Sequence, residues 1–336
     1  MHSHHSHSGQ FCKHASGNLE DVVIEAIHQG FDVYGLTEHV PRYRIQDLYP
    51  EEEGMSLPDL EIQFNAFLDE AHRLKSLYAD KINLLIGLET EYITSLDIDN
   101  LQQCLRTHGD RIEYIVGSIH HVNGVPIDFD FDTFQKAFRS LSCETEKETQ
   151  ENFLCHYFEA QYDVLQRVKP EVVGHFDLCR LYTPSLRLDD YPAARKLVER
   201  NIAYAVGYGA LFEVNAAALR KKWQTAYPAE DVVERVKGYV LIASISVLVR
   251  PSTQIILKHG GRFTLSDDSH GPHAVGLNYD RVAKYLLSVN VAELWYLQKS
   301  MNVNAAGRKI QSVRLNGDWW NHTFWQGRLR SRDFDE

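Results

Sequence analysis

Asp32-Val33-Tyr34-Gly35-Leu36-Thr37-Glu38-His39 is a short apolar run that ends in an acid and an imidazole, and its form recurs along the chain. Ile82-Asn83-Leu84-Leu85-Ile86-Gly87-Leu88-Glu89 closes on a carboxylate, Tyr114-Ile115-Val116-Gly117-Ser118-Ile119 runs into His120, and Val172-Val173-Gly174 runs into His175. Leu211-Phe212-Glu213-Val214-Asn215 and Arg262-Phe263-Thr264-Leu265-Ser266 behave alike, the second reaching Asp268 and His270. These runs read as buried strands. Between them lie amphipathic stretches. Asn18 to Gly30 predicts a helix with Asn18 as N-cap, Val22, Val23, Ala26 and Ile27 on one face and Gly30 closing it, and Leu60 to Tyr78 predicts a longer one. Alternating strands and helices define an α/β chain. In a parallel barrel the C-terminal ends of the strands converge on one face, where the active site is built. One strand ending in a polar residue only marks where it meets solvent. Six ending in metal-ligand residue types point to a metal site at that face.

The chain has 336 residues, 44% hydrophobic and 24% charged, the balance of an ordered globular protein and a length suited to one large barrel. No apolar run reaches the roughly 18 residues that span a bilayer, the richest being Tyr239 to Val249, and the first residues have no signal-peptide pattern. Cys12, Cys104, Cys143, Cys155 and Cys179 form an odd, scattered set without a CxxC pair, which predicts a reducing, cytoplasmic setting. A formal net charge of -11 argues against a nucleic-acid binder. It leaves room for a phosphorylated substrate, because bound cations supply local positive charge.

Histidine is the unusual residue: 17 in all, of which five fall within the first 14 positions. His5-Ser6-His7, if extended, places two imidazoles on one face, a natural grip on one metal. MHSHHSHS also looks like an expression tag, but Phe11-Cys12-Lys13-His14 continues directly into the first helix without a linker. His2 and His4 receive no role, nor do His28, His72, His108, His156, His259, His273 and His322. Glu89, a carboxylate at a buried strand end beside imidazoles, is suited to bridge two cations. GxSxG, GxGxxG and GxxxxGK[ST] motifs are absent, which removes a serine-hydrolase elbow and the common nucleotide cradles.

Taken in order, His5-Ser6-His7-Ser8, Phe11-Cys12-Lys13-His14, Thr37-Glu38-His39, Gly87-Leu88-Glu89, Gly117-Ser118-Ile119-His120, Gly174-His175-Phe176-Asp177 and Asp268-Ser269-His270 resemble the PHP (polymerase and histidinol phosphatase) family over nearly the whole chain. Phe212-Glu213-Val214-Asn215 with Leu219-Arg220-Lys221, and Leu178-Cys179-Arg180, resemble its histidinol-phosphate phosphatase branch, particularly the fungal members. The resemblance implies a distorted (β/α)7 barrel with three divalent metal ions, zinc, iron or manganese. His5, His7, Glu89 and Asp268 would hold the first; Glu89, His120 and His175 the second; His14, His39 and His270 the third. His120 is preferred to His121 because it directly follows its strand.

The implied reaction is hydrolysis of a phosphomonoester, L-histidinol phosphate, to L-histidinol and phosphate in histidine biosynthesis. A metal-bridging hydroxide would attack phosphorus in line, with no side-chain nucleophile. Arg180 and Arg220, each after a strand-end motif, and Arg42, after the Thr37–Pro41 turn, are the candidate phosphate ligands. Glu213, Asn215 and Glu91 are candidates for recognising the ammonium and imidazole of that substrate. Two other readings compete: a PHP phosphoesterase for nucleotides or nucleic acid, and a metal-binding protein without activity. The expected partner is a small phosphomonoester, with neither nucleic acid nor membrane; the sequence sets no oligomeric state.

Two departures from the family pattern stand out. The chain starts almost at the first metal motif, which predicts a short first strand. The helix opening at Tyr227-Pro228-Ala229-Glu230-Asp231 should run directly into Ile255-Ile256-Leu257-Lys258-His259-Gly260-Gly261, yet Val236 to Gln254 intervenes with β-branched runs, a glycine and Pro251. Residues 236–254 therefore read as an atypical insertion, a retained intron or a misplaced exon boundary. Thr133 to Gln150 reads as a loop and surface helix. The expected organisation is a single barrel domain over 1–315 and a C-terminal tail over 316–336, its tryptophans packing over the barrel.

Overall fold

The computed structural model describes residues 1–221, 223–233, 255–326 and 328. Seven strands lie in chain order in one sheet: β1 (His2–Ser3), β2 (Val33–His39), β3 (Asn83–Glu89), β4 (Tyr114–Gly117), β5 (Val172–Val173), β6 (Leu211–Asn215) and β7 (Arg262–Ser266). Each pairs in parallel with the next. The sheet then curls back on itself. The His4 amide donates to the Leu265 carbonyl at 3.1 Å, and Ser6–His7 pairs in parallel with Ser269–His270. This is a nearly closed, distorted (β/α)7 barrel, and its first strand is only two residues long.

Helices fill the crossovers: α1 (Leu19–His28), α2 (Leu57–Leu77), α3 (Ser95–His108), α4 (Phe131–Arg139), α5 (Glu146–Val168), α6 (Pro192–Tyr208), α7 (Ala217–Arg220), α8 (Glu230–Val233) and α9 (Tyr279–Ser288). The period of two along each strand decides what faces where. Leu84, Ile86 and Leu88 of β3 join Phe67, Leu68, Ala71 and Leu74 of α2 in the main core. The alternate face of the strands supplies Val33, Leu85, Tyr114, Val116, Val172 and Leu211 to a second cluster inside the barrel. A hairpin, β8 (Trp295–Lys299) against β9 (Ile310–Arg314), seals that cluster with Leu297 and Ile310. Each such side chain removed from water contributes about 1.5–3 kcal/mol.

The inward face continues toward the C-terminal mouth. Leu85, Gly87 and Glu89 share it, as do Leu211, Glu213 and Asn215, so the periodicity that packs two leucines also turns Glu89 and Glu213 inward. Gly87 lacks a side chain because a Cβ there would sit 2.8 Å from the Tyr114 ring. That ring spans the barrel and donates its hydroxyl to the His4 carbonyl at 2.8 Å.

The tag-like octet is barrel wall. Residues 1–8 are all buried, and the Met1 ammonium pairs with Asp32. His2 Nε2 accepts from the Leu265 amide at 3.1 Å and His4 Nε2 from the Leu297 amide at 2.9 Å, so these two imidazoles are structural.

Three expectations change in detail. β4 stops at Gly117 rather than Ile119, because the Thr90 hydroxyl captures Ser118, accepting from its amide at 2.9 Å and donating to its carbonyl at 3.0 Å. Residues 133–150 hold part of α4 and the start of α5, and Thr149 and Gln150 are buried in that 23-residue helix. The helix expected from Tyr227 begins at Glu230, and the Ile256 amide donates to the Val232 carbonyl at 3.1 Å. The insertion read at 236–254 lies outside the described residues. Near the C-terminus Trp319 and Trp325 are buried, their indole N–H groups donating to Val291 and Trp319 carbonyls at 2.8 and 2.7 Å. Among the described residues no helix is long and apolar enough to cross a membrane.

Candidate metal centre

Glu89, at the end of β3, is the hub of the strand-end cluster. One carboxylate oxygen, Oε1, lies 3.2 Å from His5 Nε2, 3.2 Å from His120 Nε2 and 3.1 Å from His175 Nε2. The other, Oε2, lies 3.3 Å from His7 Nε2 and 3.1 Å from His39 Nδ1. His5 and His7 approach each other to 3.1 Å through Nε2, and Asp268 Oδ1 stands 3.8 Å from both. His120 and His175 meet through Nε2 at 3.2 Å. Two ligand atoms at about 2.1 Å from one tetrahedral cation are about 3.4 Å apart, so His5/His7/Glu89 and Glu89/His120/His175 each have the spacing of donors around a shared ion.

The third expected set is less compact. His39 is shared between two groups, one with His7 and His270 and one with Cys12 and His14. The His14 ring lies 5.4 Å from that of His39 and 5.1 Å from that of His270, centroid to centroid. His121, the alternative to His120, is buried with Nδ1 3.5 Å from Glu91 and stands outside these groups.

The donor chemistry fits divalent cations. Among the described residues, His39 Nε2 and His175 Nδ1 are buried without a hydrogen-bond partner. Leaving such groups unsatisfied costs about 1–3 kcal/mol each. Burial opposes charge on Glu89, yet His5, His120 and His39 around it hold its carboxyl well below the usual range. Asp268 is likewise lowered against its burial, by His5, His270 and Arg220. Burial also opposes charge on His7, but Glu38 and Glu89 raise it to about 9. His39, by contrast, is held to about 3, by burial and by the neighbouring His7. Carboxylates and imidazoles form a ligand set once the imidazoles are deprotonated, and the positive charge that the carboxylates draw onto His5, His7 and His120 is one a divalent ion supplies in the proton's place.

The strand-end reading passes over the residues that orient these ligands. Glu213 places Oε1 2.8 Å from His5 Nδ1, while its Oε2 accepts from the His175 amide at 2.7 Å and the Asn215 side chain at 2.9 Å. Glu213 and Asn215, expected near the leaving group, are fully buried behind the ligands instead. Asn215 donates to Asp268 Oδ2 at 3.2 Å and accepts from the Ala217 amide at 2.7 Å. Glu38, adjacent to His39, lies 3.3 Å from His7 Nδ1 and accepts from the Ser8 amide and hydroxyl, each at 2.9 Å. Glu91 contacts His39 at 3.3 Å and His120 at 3.0 Å and receives the Tyr49 hydroxyl. Period two was the available signal: Glu91 follows Glu89 by two residues, and Glu213 points to the same side as Leu211.

The arginines separate. Arg220 lines the cleft above the cluster. Its guanidinium donates to the Asp267 and Asp268 carbonyls at 2.6 and 2.5 Å, bracing a turn in which Asp268 holds a left-handed φ of 48°. Arg180 is a correction. It is buried and bonded to Asp177 at 3.2 Å, to Asp231 at 2.7 Å and to the Leu186 carbonyl, so its charge is consumed in tying the β5 exit loop to α8. Arg42 is another. It donates to the Val40 carbonyl at 3.0 Å, pairs with Glu52 and lies 4.4 Å over the Tyr49 ring, outside the cleft lining. Lys221, beside Arg220, does line it.

The cleft has a volume of about 440 Å³, the scale of a small-molecule site. His14, His39, Glu89, His120, His175, Asp268 and His270 form its polar floor. With divalent cations bound, such a floor would suit a compact, strongly anionic group.

With its barrel and its cluster, the chain belongs to the PHP domain family, whose model matches residues 3–217. It is 42% identical over 320 residues to a probable histidinol-phosphatase of Schizosaccharomyces pombe, covering 94% of this chain and 95% of that one. It is 33% identical over 356 residues to a histidinol-phosphatase of Saccharomyces cerevisiae, covering 95% and 99%. Among solved structures it is similar to the histidinol phosphate phosphatase of Lactococcus lactis, determined with zinc, L-histidinol and phosphate, at a TM-score of 0.53 and 17% identity over 84% of this chain and 93% of that one.

Proposed function

We propose that this chain is a histidinol-phosphatase: it hydrolyses L-histidinol phosphate to L-histidinol and phosphate, a step of histidine biosynthesis, with divalent metal ions. The observation that carries the reading is the convergence of His5, His7, Glu89, His120, His175 and Asp268 in one cluster, of which Glu89, His120, His175 and Asp268 line a small-molecule cleft, in a chain 42% and 33% identical to fungal proteins of that name. His5, His7, Glu89 and Asp268 would hold one ion, Glu89, His120 and His175 a second, and His14, His39 and His270 a third. When bound, such ions polarise phosphoryl oxygens and acidify a water to serve as nucleophile. Zinc, iron and manganese all suit imidazole and carboxylate donors, and the zinc of the Lactococcus lactis protein favours zinc among them.

The chain's own residues do the rest. Glu213 and Glu38 fix the ring orientations of His5 and His7 through Nδ1, which presents Nε2 to the cleft side. Among the described residues Arg220 and Lys221 are the Arg and Lys side chains that line the cleft, and Arg220, braced on two carbonyls, keeps further N–H groups for phosphoryl oxygen. A cleft of this size accommodates a small ester. The five free cysteines, Cys12 and Cys179 buried among them, support a reducing, cytoplasmic setting.

The test is steady-state phosphate release from L-histidinol phosphate beside AMP and an aryl phosphate. A kcat/KM for histidinol phosphate at least roughly tenfold above both, a difference of one well-made contact, supports the assignment. Equal values for the three esters overturn it.

A further inference from the structure

The proposed function leaves one half of the substrate without a receptor. The phosphoryl group meets the polar floor, but the ester of an amino alcohol also carries a cationic ammonium group close to the scissile bond. Two polar groups on the cleft wall each have a buried atom without a hydrogen-bond partner among the described residues. Tyr227 is 1% exposed, and its hydroxyl has no hydrogen-bond partner. Asp128 lines the same cleft with Oδ1 buried and unpartnered.

Both groups are held in place by their backbone. Tyr227 bridges the end of β6, its carbonyl accepting from the Asn215 amide at 2.9 Å and its amide donating to the Asn215 carbonyl at 3.1 Å. Asp128 follows Ile127, whose amide donates to the His120 carbonyl at 2.9 Å, so the loop that carries the carboxylate is tied to a ligand-bearing segment. Burial first, then the charges of Asp177, Asp128 and Asp268, keep the Tyr227 hydroxyl protonated well above its usual range. Asp128 and Tyr227 thus line the same cleft from two separate loops. The neighbouring acid, Asp130, is spent on α4, where its side chain accepts from the Thr133 amide at 2.7 Å. A buried carboxylate oxygen and a buried, unpaired hydroxyl lining one cleft are costly in a free protein and have value when a cationic donor enters.

We infer that Asp128 and Tyr227 form the receptor for the substrate's ammonium group, the Asp128 carboxylate supplying charge and the Tyr227 hydroxyl a hydrogen bond. This rests on the histidinol-phosphatase reading and deepens it: selectivity for an amino-alcohol ester comes from this pair, while the polar floor handles the phosphoryl group.

The experiment compares L-histidinol phosphate with the same ester carrying hydrogen in place of the ammonium group, on the metal-loaded wild type, Asp128→Asn and Tyr227→Phe. The readout is the ratio of the two kcat/KM values. For wild type the ammonium ester is preferred. In Asp128→Asn that preference falls about 10–100-fold, the range of a charged hydrogen bond, and in Tyr227→Phe about 3–10-fold. A ratio unchanged from wild type in both variants, whatever happens to the absolute rates, overturns the inference. Failure of the underlying reading looks different: wild type itself would then show no preference for histidinol phosphate over unrelated esters, and the inference falls with it.

Discussion

The Glu213 carboxylate lies 2.8 Å from His5 Nδ1 and, through its second oxygen, receives the His175 amide at 2.7 Å. One buried side chain thus links His5 and His175, residues of the first and second proposed metal sets. It fixes the tautomer of His5, because an imidazole that donates through Nδ1 offers a lone pair at Nε2. Glu213→Gln keeps the shape and removes the charge. We expect divalent-metal affinity to fall about 10–100-fold, read by competition with a chromophoric chelator, with the far-ultraviolet spectrum unchanged. Wild-type affinity in that variant would remove Glu213 from the metal centre.

Glu89 contacts members of each proposed ligand set, so its loss should be more severe than the loss of any imidazole. Glu89→Gln should lower the bound metal by more than one ion per chain and abolish turnover. Metal analysis of the purified variant checks this; an unchanged metal content contradicts the bridging role.

Arg180 tests the separation of scaffold from site. Removing one partner of a buried ion pair leaves the others uncompensated, at about 3–5 kcal/mol, and Arg180 serves Asp177 and Asp231 together. Arg180→Ala should lower the midpoint of urea unfolding while the folded fraction keeps a KM near wild type. A large rise in KM with unchanged stability would return Arg180 to the phosphate.

The first eight residues are barrel wall and carry His5 and His7. A chain lacking residues 1–8 should lose metal binding and turnover. Full activity after that truncation would restore the view of the octet as a tag.

Residues 236–254 bear on the chain's organisation. The hydrogen bond from the Ile256 amide to the Val232 carbonyl brings the two flanks together. Deletion of 236–254 should therefore leave metal content intact and the thermal midpoint within a few degrees of the parent, about 1 kcal/mol. Unfolding on deletion, or a spliced transcript that still encodes the segment, rejects its reading as a gene-structure artefact.

Which parts of this were legible in the sequence follows from physical range. Strand ends such as Glu89 and His175 were readable because apolar runs and their terminal residues are local, and β6 and β7 occupy the residues that their patterns mark. Contacts made across the barrel were not. Arg180 looks like a strand-end cation until Asp231, 51 residues away, is brought against it. Glu213 looks like a substrate ligand until His5, 208 residues away, occupies it. The start of α5 was hidden because Glu146, Glu148 and Gln150 suggest a surface, whereas the burial of Thr149 and Gln150 depends on the tertiary packing of a long helix.

The most direct measurement is phosphate release from L-histidinol phosphate by protein dialysed against a strong chelator and then titrated with zinc. The account predicts that turnover falls to background on stripping and returns in proportion to zinc bound, with Glu89→Gln failing to recover. Stripped protein that retains the full rate would contradict it.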